Sequence, residues 1–490
     1  MKLRRQQKDA GLKPHHRSTP SNCLSTYNSV DEEREARIQA TTGQARILKT
    51  NWPILLNRLK RIPDPRNPKK TKHKLTVLML YGVLIFVLQY TSRRQANEEI
   101  TNPMFEQNLR LLFPELETLP HADTLFRLLS KIDVDQIAHA HIDLVDKLIR
   151  NKKFISYRVN NCYPVAIDGT QKLAFSSLWS EELQQRKIRT TTETEEKEPQ
   201  YQYYVYVLEA NLSFQNGMVI PLMSEFLDYQ QGDTARDKQD CETKAFHRLA
   251  ERIKTAFPRL SIMLLLDGLY PTGPVMARCN KYNWQFMIVL KDDSLPTVWE
   301  EYNGLLDLQS DNYKRQKWGD RKQHFLWVNQ IRYEYGPNWK KHLTIHVVVC
   351  EEQWQEVVDN AEIITKSSRH VWISSHQIDR KNVHERCNLA ARYRWGIESC
   401  ILVEKHHGYA YEHTFAKDWN AMRGYHYLMR IAHLLNTLAR YASALAPIFK
   451  QKGVQAFIRF VRSTYSGPWL DDDVADIKQR MRKPFRLSFI

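Results

Sequence analysis

The chain has 490 residues, with 72 Lys and Arg against 55 Asp and Glu and a formal net charge of +17. An excess of this size predicts a polyanionic partner, and nucleic acid is the favoured one, with a merely solvated basic surface as the alternative. The seven cysteines are scattered and form no C-x-x-C pair, which excludes a disulfide framework or a zinc module and favours a cytoplasmic protein with reduced thiols.

Residues 1–45 mix basic and small polar residues without apolar periodicity, which predicts a flexible basic arm. No apolar segment of the kind found in signal peptides follows the first basic residues. The most apolar run covers residues 75–88, and its 14 residues would span about 21 Å as a helix. Because a bilayer core is roughly 30 Å thick, we expect a buried core helix there and no membrane association.

Helical periodicity dominates residues 46–155. Besides the apolar run, residues 104–112 and 125–132 are predicted helices, the second with Asp123 as its candidate N-cap. Basic residues flank the apolar run on both sides, so we expect a helical DNA-binding domain with a basic rim. The candidate DNA contacts in this rim are Lys69, Lys70, Lys72, Arg93 and Arg94.

Strand patterns replace helical ones in residues 156–294. Predicted strands cover 162–170, 203–212, 218–226, 262–266 and 286–290, with a hairpin turn at Asn216-Gly217. A predicted helix covers 237–254, where Ala245, Leu249 and Ile253 form one apolar face. Three strands, a helix, and then strands alternating with helices is the order of a ribonuclease H-like fold, in the α/β class. We therefore expect the first part of a catalytic core here.

The remainder of the chain is predicted to complete this core. Residues 295–378 are β-rich and would form an insertion, with a turn at Gly336-Pro337-Asn338. Residues 379–448 are mostly helical and form the second part of the core, and residues 449–490 form a helical, basic C-terminal tail. The acidic stretch 191–198 is an expected surface loop. Four tryptophans are expected to pack in the core of the insertion, with DNA contact by one of them as the alternative: Trp327, Trp339, Trp354 and Trp372.

Three acidic residues stand in contexts that suit catalysis. Asp168 follows the apolar run 165–167, and Asp267 follows 262–266 and precedes a glycine, so both are expected at the carboxyl ends of buried strands. Glu398 lies in a helical stretch without proline. If the three converge, their carboxylates suit two hard divalent ions roughly 4 Å apart, which steady the attacking and leaving oxygens of a phosphodiester. We expect two Mg²⁺ ions, with Mn²⁺ as an alternative.

Each of these acids also has a purely structural interpretation. An aspartate can end a strand and cap the following turn, and a helix glutamate usually faces solvent. Arg394, four residues before Glu398, can form a local ion pair with it. Rival glutamates near this position are Glu385, Glu404 and Glu412.

The residues around Glu398 resemble a known signature. Arg394, Glu398 and Lys405 fit the spacing R-x3-E-x6-K. Together with Asp168 and Asp267 in this order, they make the chain resemble the DDE transposases of bacterial insertion sequences that carry a Tyr/Arg/Glu/Lys motif. The resemblance implies a ribonuclease H-like core in which the three acids bind metal and catalyse Mg²⁺-dependent strand cleavage and transfer. It also implies recognition of terminal inverted repeats and target DNA, a homodimer that synapses two ends, and a nucleoid-associated location in a bacterial cytoplasm.

The same resemblance implies DNA contacts for the signature itself. Arg394 and Lys405 would contact phosphates. Trp395 occupies the position of a tryptophan that stacks on a flipped base in relatives that form a hairpin intermediate. The tyrosine of the motif falls on Ala391, and Tyr393 lies two residues further on, which is a departure from the motif. Two other functions stay open: a ribonuclease H-like structure-specific DNA nuclease that does not join strands, and an inactive DNA-binding protein derived from a transposase.

Overall fold

The computed structural model describes residues 26–188, 200–227, 238–357, 363–471 and 474–489. These residues form fourteen α-helices and one ten-stranded mixed sheet, which confirms the predicted α/β class. The acidic stretch 191–198 and residues 1–25 of the expected basic arm lie outside the described residues.

The first helix, α1, Val30–Leu59, contradicts the expected flexible arm from residue 30 onward. Its N-cap Ser29 accepts a hydrogen bond from the backbone N–H of Glu32, and acidic residues fill the first turn, where they suit the helix dipole. Ile38 is buried, but so are polar side chains such as Thr41. Because polar residues occupy part of the buried face, the sequence shows no apolar periodicity here.

Five further helices follow: α2 Leu75–Val87, α3 Arg93–Ile100, α4 Pro103–Leu112, α5 Ala122–Leu129 and α6 Asp135–Arg150. Helix α2 is the predicted core helix, and all of its residues except Thr76 are buried. It packs on α11, Trp419–Tyr441, where a Cβ at Gly82 would lie 2.7 Å from Leu428 Cδ1. Helix α5 is capped by His121, not by the predicted Asp123. None of the described helices has the length and apolar character needed to cross a bilayer.

The sheet begins with β1 Tyr163–Phe175, β2 Gln184–Lys187, β3 Tyr201–Ser213, β4 Val219–Phe226, β5 Ile262–Leu266 and β6 Gln285–Val289. Strand β1 lies between antiparallel β3 and parallel β5, and β5 is parallel to β6. Strands β2 and β4 both pair with the other edge of β3. The β3–β4 hairpin turns at Gly217, whose φ of +81° favours glycine, so the turn predicted at Asn216-Gly217 is confirmed.

Two helices connect the parallel strands. Helix α7, Lys238–Ala256, joins β4 to β5, and α8, Gly273–Lys281, joins β5 to β6. The predicted face of α7 is confirmed, since Ala245, Leu249 and Ile253 are all buried. Parallel neighbours need such crossover connections, which is why strands and helices alternate in this part of the sequence.

The predicted insertion forms α9 Pro296–Leu306, β7 Tyr313–Trp318, β8 Arg321–Tyr335, β9 Lys341–Val357 and β10 Ile363–Ser374. Its β-rich character is confirmed. Its strands do not form a separate sheet, however, because β10 pairs antiparallel with β6, with Trp372 opposite Val289. Strands β9, β8 and β7 then extend the same sheet outward. The insertion is therefore continuous with the core.

The chain continues through a π-helix Glu385–Ala390 and a 3-10 turn Ala391–Trp395 into α10 Gly396–His406, α11, α12 Ala446–Lys452, α13 Val454–Ser466 and α14 Val474–Arg482. The C-terminal segment is helical as predicted, but it is not a free tail, since α13 and α14 pack on α1. Arg480 of α14 pairs with Glu35 of α1 at 2.7 Å. The Arg37 guanidinium carbon lies 4.4 Å from the centre of the Phe460 ring of α13. The two ends of the described chain thus meet.

Candidate active site

Asp168 and Asp267 come from neighbouring parallel strands. Ala166 pairs with Leu265, so two residues further along the same register Asp168 lies beside Asp267. Adjacent strands in a sheet are about 4.8 Å apart. The sheet therefore brings together the two aspartates that the sequence singled out.

Asp168 is not at a strand end, however. Strand β1 continues to Phe175 against β3, with Gly169 and Thr170 inside the strand, whereas β5 ends at Leu266. The predicted strand end after Asp168 is wrong because β3 supports β1 beyond the point where β5 leaves it. The same observation excludes the interpretation in which Asp168 caps a turn.

Asp267 follows the last residue of β5, as predicted. Its Oδ1 accepts a hydrogen bond from the Leu269 backbone N–H at 2.9 Å, which fixes the carboxylate at the start of the loop to α8. Gly268 lies against the Lys291 side chain, whose Cε would be 2.6 Å from a Cβ at this position. A larger residue at 268 would therefore displace a cation that lines the same cleft.

Glu398 lies in the first turn of α10 and is held by Arg394. Arg394 Nη2 is 2.8 Å from Glu398 Oε1, so the local ion pair considered for Arg394 is present. Helix α10 approaches the sheet closely, because a Cβ at Gly396 would collide with Ser213 Oγ of β3. The Ser213 hydroxyl donates to the Tyr393 carbonyl and anchors the turn before the helix. Strand β3 thus fixes where the helix that bears the glutamate begins.

The three carboxylates form one electrostatic cluster. Burial, followed by the charges of Asp267 and Glu398, raises the pKa of Asp168 to about 7, although Arg394 acts in the opposite direction. Burial also raises the pKa of Glu398, with Arg394 opposing the shift and Asp267 adding to it. A site with only oxygen donors and an excess of negative charge fits a hard divalent cation.

A cleft of about 940 Å³ opens beside Asp267, between the core strands and the inserted strands. Five cationic side chains line it: Lys291, Arg321, Arg369, Arg392 and Arg394. Arg321 and Arg392 share the buried Glu352, and Arg369 pairs with Asp292. The cleft is therefore lined by Asp267 of the acidic cluster and by a basic wall in which only Lys291 has no described carboxylate partner.

The four tryptophans of the inserted strands differ in their surroundings. Trp327 and Trp372 are buried, as predicted. Trp339 is 66 % exposed, and Trp354 is half-buried in the wall of the cleft, 4.1 Å from the Arg321 guanidinium carbon. The core assignment is wrong for these two because Trp339 lies in the β8–β9 turn and Trp354 near the end of β9.

The remaining residues of the signature differ in their exposure and in their contacts. Trp395 is 62 % exposed at the cleft, with the Arg394 guanidinium carbon 4.7 Å from its ring centre. Tyr393 and Ala391 also line the cleft, although Ala391 is mostly buried. Lys405 lies two turns after Glu398 on the same side of α10, and it pairs with Glu412 at 2.9 Å.

The five basic residues of the predicted rim lie in the N-terminal helical region and do not line the cleft. Lys69, Lys70 and Lys72 are exposed and have no carboxylate partner among the described residues. Arg93 pairs with Asp123 at 3.1 Å, and Arg94 pairs with Glu98 at 2.8 Å. Of these five residues, only the three lysines have no carboxylate partner among the described residues.

A buried charged network behind the cluster was missed. Arg430 of α11 donates to Glu404 of α10 at 2.9 Å and lies 3.2 Å from Glu209 of β3, and all three are fully buried. Glu209 is the cross-strand partner of Asp168. Glu404, considered as a rival of Glu398, is thus part of the scaffold. The sequence signal for this network was the presence of charged and polar residues among the apolar residues of the long helix α11.

Three ligand atoms of this network lie close enough to hold a metal ion. The candidate ligands from Cys400, Glu404 and His433 all lie within 4.8 Å of one another. Glu404 Oε1 already accepts hydrogen bonds from Arg430 at 2.9 Å and from His433 Nδ1 at 2.6 Å. The adjacent guanidinium argues against a second cation here.

The fold and the carboxylate cluster define a mixed α/β protein with an acidic site at the edge of a basic cleft. Residues 56–145 match the family described as DDE_Tnp_1-associated. The match covers the end of α1 and helices α2 to α5 with most of α6, less than half of the chain, and includes none of the three carboxylates. This segment is therefore similar to a domain associated with DDE-type transposases. No curated protein gives a significant match to the sequence.

Proposed function

We propose that the protein is a DNA transposase that binds terminal inverted repeats and catalyses Mg²⁺-dependent strand cleavage and strand transfer. The proposal rests on the clustering of Asp168, Asp267 and Glu398. The strand order β4-β3-β1-β5-β6, with β1, β5 and β6 parallel, supports a ribonuclease H-like core. The family match of residues 56–145 supports the same class of protein.

Asp168, Asp267 and Glu398 would hold two Mg²⁺ ions, or Mn²⁺ in their place. Bound there, such ions stabilise the charge on the attacking and leaving oxygens of a phosphodiester. Three carboxylates and two divalent ions leave a net charge of about +1 to face the phosphate. Arg394 keeps Glu398 oriented, and Asp168 must lose its proton before it can act as a ligand.

The cleft suits the DNA backbone. Its cationic wall would neutralise phosphates, and the buried Arg394 Nη1, which has no hydrogen-bond partner among the described residues, would donate to a phosphate oxygen once the side chain turned into the cleft. The exposed Trp395 offers a surface on which a base would stack, an interaction worth about 1–3 kcal/mol. To contact a phosphate, Lys405 would have to break its ion pair with Glu412. Synapsis of two DNA ends would require a homodimer.

The test uses a supercoiled plasmid that carries the coding region with its flanking DNA. We expect Mg²⁺-dependent nicking by the wild type, and loss of nicking in Asp168→Asn, Asp267→Asn and Glu398→Gln, because each removes a metal ligand. End binding in a gel-shift assay should be largely retained. Matched controls are Asp320→Asn and Glu300→Gln, two exposed acids that do not line the cleft.

Full nicking by any one of the three variants would remove that residue from the catalytic set. Joining of the cleaved end to a second plasmid distinguishes the transposase from a nuclease, since a nuclease cuts and does not join. Absence of cleavage by the wild type on DNA with inverted repeats would favour the inactive DNA-binding derivative.

A further inference from the structure

A second pocket, of about 460 Å³, lies between the end of α10, the C-terminal half of α11 and the start of α13. Its size falls within the roughly 300–1,000 Å³ of small-ligand sites. We call it the C-terminal pocket and define it by His407, His433, Thr437, Arg440, Lys452 and Arg459. Val403 and His407 line it from the side of α10 roughly opposite to Glu398, so it is separate from the carboxylate cleft.

The lining of the C-terminal pocket is cationic. Arg440 and Arg459 are exposed and form no ion pair with any described residue. Lys452 is held by Tyr27, whose hydroxyl lies 2.9 Å from its Nζ, and it too has no described carboxylate partner. Among the described residues no carboxylate lines the pocket. The uncompensated positive charge favours an anionic ligand.

Helix α13 begins at this pocket and adds backbone donors. Its N-cap is Gly453, with φ of +77°, and no side chain caps this end of the 13-residue helix. Val454, Gln455 and Ala456, the first three residues of the helix, line the pocket. The free N–H groups and the positive end of the dipole at such a helix start suit an anion.

A mostly buried threonine whose hydroxyl has no partner supplies an independent sign of a ligand. Thr437 lines the pocket and is only 8 % exposed. Buried helix threonines such as Thr42 and Thr464 donate to the carbonyl four residues earlier, but Thr437 makes no hydrogen bond with any described residue. The Thr437 hydroxyl is open to the pocket and is free to bond to a ligand oxygen.

We propose that the C-terminal pocket binds a phosphate group, held by Arg440, Arg459 and the start of α13, with the Thr437 hydroxyl as a further donor. The phosphate belongs either to a nucleic acid backbone or to a small ligand such as a nucleotide. The proposal goes beyond the cleavage chemistry and does not depend on it, because no residue of the pocket belongs to the carboxylate cluster.

The test titrates inorganic pyrophosphate into the full chain at constant ionic strength, without divalent cations, and measures binding by calorimetry. We expect Arg440→Gln and Arg459→Gln each to weaken binding about tenfold or more, because each removes a charge-assisted hydrogen bond. Lys450→Gln, an exposed neighbour on α12 that does not line the pocket, should bind like the wild type.

Thr437→Val separates a ligand contact from a structural role. It should weaken pyrophosphate binding about three- to tenfold, yet leave the melting temperature in phosphate-free buffer unchanged, since no described residue bonds to this hydroxyl. A short DNA duplex identifies the source of the phosphate. If the arginine variants lose pyrophosphate and duplex affinity together, the site takes backbone phosphate; if they lose only pyrophosphate, it takes a small ligand. Pyrophosphate binding that is absent, or equal in the wild type and all variants, overturns the proposal.

Discussion

Asp168 is a buried acid close to two other acids, so its protonation is tied to the stability of the fold. Burial, then Asp267 and Glu398, raises its pKa from 3.8 to about 7. The folded chain therefore holds this proton more tightly than the unfolded chain. Its contribution to stability is fully present below about pH 4 and is lost as the pH rises through about 7.

Asp168→Asn should accordingly stabilise the metal-free protein at pH 8, by roughly 2–4 kcal/mol, and have little effect at pH 4. The measurement is the free energy of unfolding in urea at both pH values. Asp320→Asn, in an exposed turn, should leave the pH profile unchanged. Mg²⁺ competes with the proton, so millimolar Mg²⁺ should raise the wild-type melting temperature more at pH 8 than at pH 5. Parallel pH profiles for the wild type and Asp168→Asn would contradict the cluster.

At the scale of secondary-structure elements, Arg430 joins three of them. It connects α11 to Glu404 on α10 and to Glu209 on β3, opposite Asp168. Burial alone would raise the pKa of Glu404, but Arg430 and His433 outweigh it and lower this pKa to about 2. The helix that bears Glu398 is therefore held to the strand beside Asp168 by a buried ion pair.

Arg430→Met should cost about 3–5 kcal/mol of stability at pH 7, because it leaves two buried carboxylates without a cation. Urea unfolding measures this change. Arg440→Met, on the same helix but exposed and without a described carboxylate partner, is the control and should cost less than about 0.5 kcal/mol. Equal stability of the two variants would show that the buried network contributes little to holding α10 in place.

Elements fixed by local sequence could be predicted, and those fixed by distant partners could not. The core helix α2 and the turn at Gly217 follow from apolar length and from glycine's freedom at positive φ. The meeting of Asp168 and Asp267 could be predicted because acids that follow apolar strand runs converge when the strands are parallel. Helix α1 was missed because its buried face is partly polar, and the pairing of β10 with β6 depends on a contact distant in the sequence. The network around Arg430 could not be predicted, because it joins residues from three separate segments.

On the scale of the whole molecule, positive charge is distributed between paired and unpaired cations. The net charge of +17 includes arginines that stabilise the fold, such as Arg480 on Glu35 where the two ends of the described chain meet. Lys69, Lys70 and Lys72 instead stand exposed, within the segment that matches the transposase-associated family. A cation that already has a carboxylate partner gains less from a phosphate, so these three lysines should contribute more to DNA binding than the paired Arg93 and Arg94.

This difference predicts how DNA affinity depends on salt. Each phosphate contact adds about 0.9 to the slope of log affinity against log salt concentration. We expect Lys69→Gln, Lys70→Gln and Lys72→Gln each to reduce that slope by about 1 if its lysine contacts a phosphate, and the triple variant to show the summed effect. Arg94→Gln, which removes an exposed arginine paired with Glu98, should reduce the slope by less than one such unit. Fluorescence anisotropy of a labelled duplex between about 50 and 200 mM NaCl measures these slopes. If the triple variant keeps the wild-type slope, the three lysines do not form the DNA-binding surface. The cationic wall of the cleft is then the alternative.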